Sequence, residues 1–209
     1  GFNAFVLRYS VKPSVFPVAL LEAADAMTMI REHAAEWHVD PDAIAVIGFS
    51  AGGHLAANLA TSTSDDVLVA HGYDPDAVRP NGLMLAYPVI TSGPLAHRGS
   101  FDSLLGERRN DSQALESVSI ERHIDAKTPP VFAWHTVPDE TVPYENTLML
   151  IDACKKAGVS IEAHLFPQGG HGLSLGTAET AWQGVNGIEP SIQIWPQLAV
   201  SWTRRTFAR

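Results

Sequence analysis

Among its 209 residues the chain has one cysteine, Cys154, which excludes an internal disulfide. A lone thiol fits a reducing compartment, so the expected location is cytoplasmic. Basic residues are scarce: 14 Lys and Arg stand against 23 Asp and Glu, a formal net charge of −9. That balance disfavours nucleic acid or an anionic membrane surface as a partner. No apolar run approaches the ~20 residues that span a bilayer. The chain also lacks a His-Glu-x-x-His pair, a Cys-x-x-Cys pair, a phosphate-cradling Gly-x-x-x-x-Gly-Lys loop and a dinucleotide fingerprint. Neither a metal nor a cofactor is therefore expected. Charged residues make up only 18% and hydrophobic residues 45%, the balance of a packed core and not of a disordered chain. The length suits one substantial core, read as a single domain over 1–209.

What is present is an alternation of short apolar runs with amphipathic ones. Short runs at 43–47, 83–87, 130–135 and 161–166 read as buried strands. Between the first strand, near Phe5, and the next, Leu20, Ala23, Met27, Ile30, Ala34 and Trp37 share one face of a helix that Pro17 opens. A second helix, from about Tyr144 to Ala157, buries Leu148, Ile151 and Cys154, with Lys155 and Lys156 in its last turn and Gly158 at its end. A closing helix covers 194–207. Strands alternating with helices predict an α/β fold: a mostly parallel sheet with helices on both faces. Residues 91–129 are polar and irregular, either a small cap over a pocket or a solvated surface excursion.

Ser50 stands in Gly48-Phe49-Ser50-Ala51-Gly52, between an apolar strand and a helix rich in Ala and Leu. A serine at such a junction occupies a strained turn that lifts its hydroxyl out of the backbone. The following helix points its positive end at the place where an oxyanion would develop, with the Ala51 N–H as one donor. The bland alternative is a Gly/Ser-rich turn without chemistry.

A serine hydroxyl needs a base, and the base needs an orienting acid. Asp139 follows the strand ending at His135, and His171 follows the strand ending at Phe166, so both sit where open parallel sheets build their sites. The chain order is Ser, Asp, His. Glu140 competes with Asp139 for the acid's role. Of the nine histidines, His171 stands among three glycines on a tight turn. His54, one helical turn after Ser50, reads as structural, and packing and hydrogen bonding within or at the end of strands account for His135 and His164. Trp134 and Trp182 are candidate substrate-binding residues, as flat apolar faces for a sugar ring; core packing is the competing account of both.

Several motifs together resemble those of bacterial acetyl-xylan-esterase-like α/β-hydrolases. They are Gly48-Phe49-Ser50-Ala51-Gly52-Gly53-His54, Trp134-His135-Thr136 with Asp139 and Val142-Pro143, Tyr87-Pro88-Val89, and Gly170-His171-Gly172. The resemblance implies an α/β-hydrolase fold and a serine carboxylic-ester hydrolase, with Ser50 as nucleophile, His171 as base and Asp139 as acid. Its expected substrate is a small-molecule ester, commonly an acetylated sugar or xylan fragment. A prolyl-oligopeptidase-like serine peptidase shares the fold and triad order. An inactive hydrolase-fold binding module is the non-enzymatic alternative.

In that family a strand and a Gly-rich loop precede the segment that opens this chain, and the loop supplies a second oxyanion donor. The resemblance therefore implies an N-terminally incomplete domain. It predicts that the strand near Phe5 lies apart from the nucleophile strand, or beside a gap of two strand spacings, ~9.6 Å. Weak or absent esterase activity is the matching expectation.

Overall fold

The computed structural model describes residues 1–183 and 186–208. In chain order it contains α1 (Val18–Glu32), β1 (Ala45–Phe49), α2 (Ala51–Ala60), α3 (Asp65–Ala70), α4 (Pro75–Val78) and β2 (Gly82–Ala86). There follow α5 (Arg98–Leu105), α6 (Ser112–Ser117), β3 (Val131–Thr136), α7 (Glu145–Ala157), β4 (Ile161–Phe166) and α8 (Trp195–Thr206). The four strands form one sheet in the order β1-β2-β3-β4, every pair parallel.

Alternation along the strands sorts the core into two layers, because successive side chains point to opposite faces. Leu83, Leu85, Val131 and Ala133 pack with Ala56, Ala57 and Ala60 of α2 and Leu150 and Cys154 of α7. Met84, Ala86, Phe132 and Trp134 face the other way, against Trp195, Ala199 and Trp202 of α8. All six residues of β3 are buried, as a central strand covered on both faces must be. Leu20, Ala23, Ala24 and Met27 of α1 pack on Leu59 of α2 and on Ile44.

α7 ends as its sequence predicts, with Gly158 in the left-handed region at φ 73° and Lys155 and Lys156 in the last turn. Its buried face is displaced from the expected one. Leu148 is exposed, whereas Asn146, Thr147, Leu150 and Cys154 are buried. Polar Asn146 is drawn inside because its Oδ1 accepts the Ile90 and Thr91 N–H groups, at 2.9 and 3.1 Å. Residues 91–129 are no solvated excursion. Phe101, Leu105, Ala114 and Val118 pack with Val89 and Val142, and Ile120 joins the layer under α2 and α7.

The expected strand near Phe5 does not form: residues 1–9 have no regular secondary structure. An extended segment becomes a strand only through a ladder partner, and β1 pairs with β2 alone among the described strands. No ladder joins Val6 to Val46, and Val6 is 91% exposed. The segment is held from its flanks instead. Asn3 Nδ2 donates to the Trp37 and His38 carbonyls, the Phe5 ring leans on Trp37, and Ser10 bonds Glu22. Ile47 of β1 is left 44% exposed.

Candidate active site

Ser50 connects β1 to α2 at φ 53° and ψ −120°, a backbone conformation that L-residues avoid and that tertiary contacts must enforce. Its N–H donates to the Ala86 carbonyl at 3.0 Å, and its carbonyl accepts from Val89 N–H at 3.2 Å. Both tie the turn to the end of β2. Helix α2 and the segment after β2 approach closely here: a Cβ on Gly53 would lie 3.0 Å from Pro88 Cβ. Ala51 is exposed at the N-terminus of the ten-residue α2, where free N–H groups and the helix dipole favour negative charge.

The loops after β3 and β4 bring two further groups to this turn. Ser50 Oγ–H donates to His171 Nε2 at 2.7 Å, and His171 Nδ1–H donates to Asp139 Oδ2 at 2.7 Å. The imidazole keeps a 17% exposed edge, whereas the Asp139 side chain is fully buried. Thr136 Oγ1 donates to the Gly170 carbonyl, anchoring the histidine loop to β3. The Tyr87 ring stands edge-on to His171 at 5.0 Å, and Ser174 N–H donates to its hydroxyl. Glu140 is exposed and outside this set.

Asp139 is acceptor to four donors. Oδ1 takes the Thr141 and Val142 N–H groups, each at 2.9 Å; Oδ2 takes His171 and, at 3.2 Å, His135 Nε2. Burial alone would raise the carboxyl pKa. The hydrogen bonds from His135, His171 and Val142, with the His171 charge, outweigh it and hold the group well below the ordinary carboxylate range. An ionised, immobilised carboxylate fixes the Nδ1–H tautomer of His171. Nε2 is thereby left as acceptor toward a hydroxyl, an arrangement able to draw a proton from Ser50.

A family model described as BD-FAE matches residues 1–153. The chain belongs to the BD-FAE family. It is 33% identical over 190 residues to an endo-1,4-beta-xylanase B of Butyrivibrio fibrisolvens, covering 88% of this chain and 30% of that one. It is 28% identical over 181 residues to an acetylxylan esterase of Xylanibacter ruminicola, covering 85% and 35% respectively. The chain thus spans about a third of the length of these curated relatives. Among solved structures, the acetyl ester-xyloside bifunctional hydrolase of Caldicellulosiruptor lactoaceticus superposes with a TM-score of 0.78 at 37% identity, covering 94% of this chain and 69% of that one. The fold is that of the α/β-hydrolases.

Of the five tryptophans of this BD-FAE member, the two candidate substrate-binding ones part company. Trp134 is 1% exposed, enclosed by Tyr87, Phe166 and Trp195, and so offers no face to a ligand. Its expected role as a sugar platform is corrected: a residue in the central strand pointing under α8 must be core. Trp182 is 43% exposed and borders a cleft of about 370 Å³ that also reaches His171, Asn186 and Glu189. A depression along α8, at Pro196 and Arg204, shares no residue with the Ser50–His171–Asp139 set. His135, expected to be packed and hydrogen-bonded, is both, but its partner Asp139, four positions on, is not evident from the strand pattern. Among the described residues, no group of three or more His, Cys, Asp or Glu is disposed to hold a metal ion. Among the described residues, no helix is long and apolar enough to cross a membrane.

Proposed function

We propose that this protein is a serine carboxylic-ester hydrolase that acts through an acyl-enzyme, with acetylated sugars or xylan fragments as its substrates. The observation that carries the reading is the continuous relay from Ser50 Oγ through His171 to the buried Asp139 carboxylate, both links 2.7 Å long. His171 takes the Ser50 proton as Oγ attacks the ester carbonyl, and Asp139 stabilises the resulting imidazolium. The tetrahedral oxyanion develops beside the Ala51 N–H at the start of α2. His171 returns the proton to the leaving alcohol, and a water hydrolyses the acyl-enzyme by the reverse sequence.

The sugar-ester preference is supported by the acetylxylan esterase and the acetyl ester-xyloside hydrolase among the relatives. Trp182, 43% exposed and lining the same cleft as His171, also supports it, since an aromatic ring suits the apolar face of a pyranose. Labelling with an active-site-directed organophosphonate tests the chemistry. Ser50 is expected to be the modified residue by mass spectrometry, with no labelling of Ser50→Ala. Absence of labelling in the wild-type chain would leave the inactive binding module as the better reading.

A further inference from the structure

His135 is fully buried at the end of β3, and the loop leaving that strand wraps around its ring. Nε2 lies 2.9 Å from the Val142 carbonyl and 3.2 Å from Asp139 Oδ2. Both partners are acceptors only, so Nε2 carries the proton and shares it between them. Nδ1 is then the acceptor, and Thr147 Oγ1, on α7, donates to it at 2.8 Å. The hydrogen-bonded chain therefore does not stop at the acid. It runs Ser50, His171, Asp139, His135, Thr147, from the nucleophile turn to the interior of α7.

The grip is double. Val142 donates its N–H to Asp139 Oδ1 and presents its carbonyl to His135, so one imidazole restrains both the carboxylate and the backbone that positions it. An apolar side chain of similar volume would fill the space yet leave the buried Val142 carbonyl unpaired and Oδ2 with one donor fewer, a costly arrangement. Buried networks of this kind specify a single orientation because partial satisfaction is worse than none. We propose that His135 is a positioning residue for the acid, donating from Nε2 so that Asp139 stays turned toward His171 Nδ1. This rests on the reading of Ser50, His171 and Asp139 as the catalytic relay. The titratable groups in contact with His135 and its neighbours are Asp139, His171 and Tyr87, whose ring stands 5.0 Å from that of His171.

The test uses the full chain and three variants, with acetyl-ester turnover measured against pH. His135→Gln keeps a donor near the Nε2 position. His135→Asn keeps a polar group facing Thr147 and removes the donor toward Asp139. Thr147→Val keeps the side-chain shape and removes the support of Nδ1. For His135→Asn, kcat should fall about 10- to 100-fold, the scale of a hydrogen bond to a charged group, with KM within about twofold. The acidic limb of kcat/KM should move to lower pH, because a carboxylate that turns away no longer favours the imidazolium. His135→Gln should regain most of kcat and the wild-type limb. Thr147→Val should lose less, about 3- to 10-fold, with the limb displaced in the same direction.

Wild-type kcat in His135→Asn, a loss with an unmoved or raised limb, or no rescue by His135→Gln would each overturn the proposal. If His135→Asn does not fold, Thr147→Val decides, and a wild-type limb there overturns it. Phosphonate labelling separates the two readings. Labelled wild-type Ser50 with unaffected His135 variants removes only the positioning role. An unlabelled wild type removes the relay and this role together.

Discussion

Gly48 and Gly52 meet across the Ser50 turn so closely that a Cβ on Gly48 would stand 2.2 Å from the Gly52 carbonyl oxygen. The obstacle is backbone on both sides, because Gly53 Cα lies 2.7 Å from the same point. Gly48→Ala must therefore push α2 off β1. Overpacking of this sort costs about 1–3 kcal/mol or more, a fall in Tm of roughly 5 °C for a chain of this size. Ser50 should lose its phosphonate reactivity at the same time. An unchanged Tm with normal labelling would show that the turn relaxes without cost.

Ser50→Ala and His171→Ala should each lower kcat by on the order of 10⁶, since members of a triad act as a unit. Neither leaves a large core cavity, so circular dichroism and Tm should stay near wild type. Near-normal turnover by Ser50→Ala would remove the acyl-enzyme from consideration.

Asp139→Asn should lower kcat by about 10⁴, because an amide favours the wrong His171 tautomer. Glu140→Gln, at an exposed position outside the relay, should leave kcat within about twofold of wild type. Steady-state kinetics on a short acetyl ester compares the pair, and a larger loss from Glu140→Gln would reassign the acid.

His54 gives the fold a measurable pH dependence. Its Nε2–H donates to the Val118 carbonyl at 2.8 Å, and Asn58 Nδ2 donates to Nδ1 at 2.9 Å, inside α2. Burial lowers its pKa to about 4, against the opposing pull of the Val118 bond. In the unfolded chain the same ring titrates near ~6.5. Between those values the unfolded state binds more protons. Stability is therefore full above about pH 6.5 and is lost as pH falls toward about 4, by on the order of 3 kcal/mol. Asp139, whose folded pKa is depressed, adds a further loss below about pH 4. Thermal denaturation against pH should show a shallower slope from 6.5 to 4.5 in His54→Gln than in wild type. Parallel slopes would exclude His54 as the group responsible.

Trp182→Ala should raise KM for an acetylated xylo-oligosaccharide about 3- to 10-fold, the scale of one aromatic contact. A small aryl acetate, too short to reach the Trp182 edge of the cleft, should be turned over as before. Equal effects on the two substrates would assign Trp182 to the packing of its own loop.

Local pattern was enough to read the alternation of strand and helix, the strand–turn–helix context of Ser50 and the capped end of α7 at Gly158. Each depends on residues within a few positions of one another. A parallel sheet also forces its loops to one edge, so Asp139 and His171 could be picked out as residues following strands. Their convergence is another matter. His171 is 32 positions from Asp139 and 121 from Ser50, and the two 2.7 Å contacts exist only because β1, β3 and β4 lie in register across the sheet. Burial is decided at the same level. Trp134, in a run read as a buried strand, lies beneath α8, whereas Trp182, in an irregular stretch, borders the cleft, since exposure depends on what packs opposite. The segment near Phe5 has the composition of a strand and is not one, because a strand requires a partner to complete its hydrogen bonds. For His135 the sequence indicates packing and hydrogen bonding but not with what: its partners come from a loop and a helix that only the tertiary structure folds around its ring.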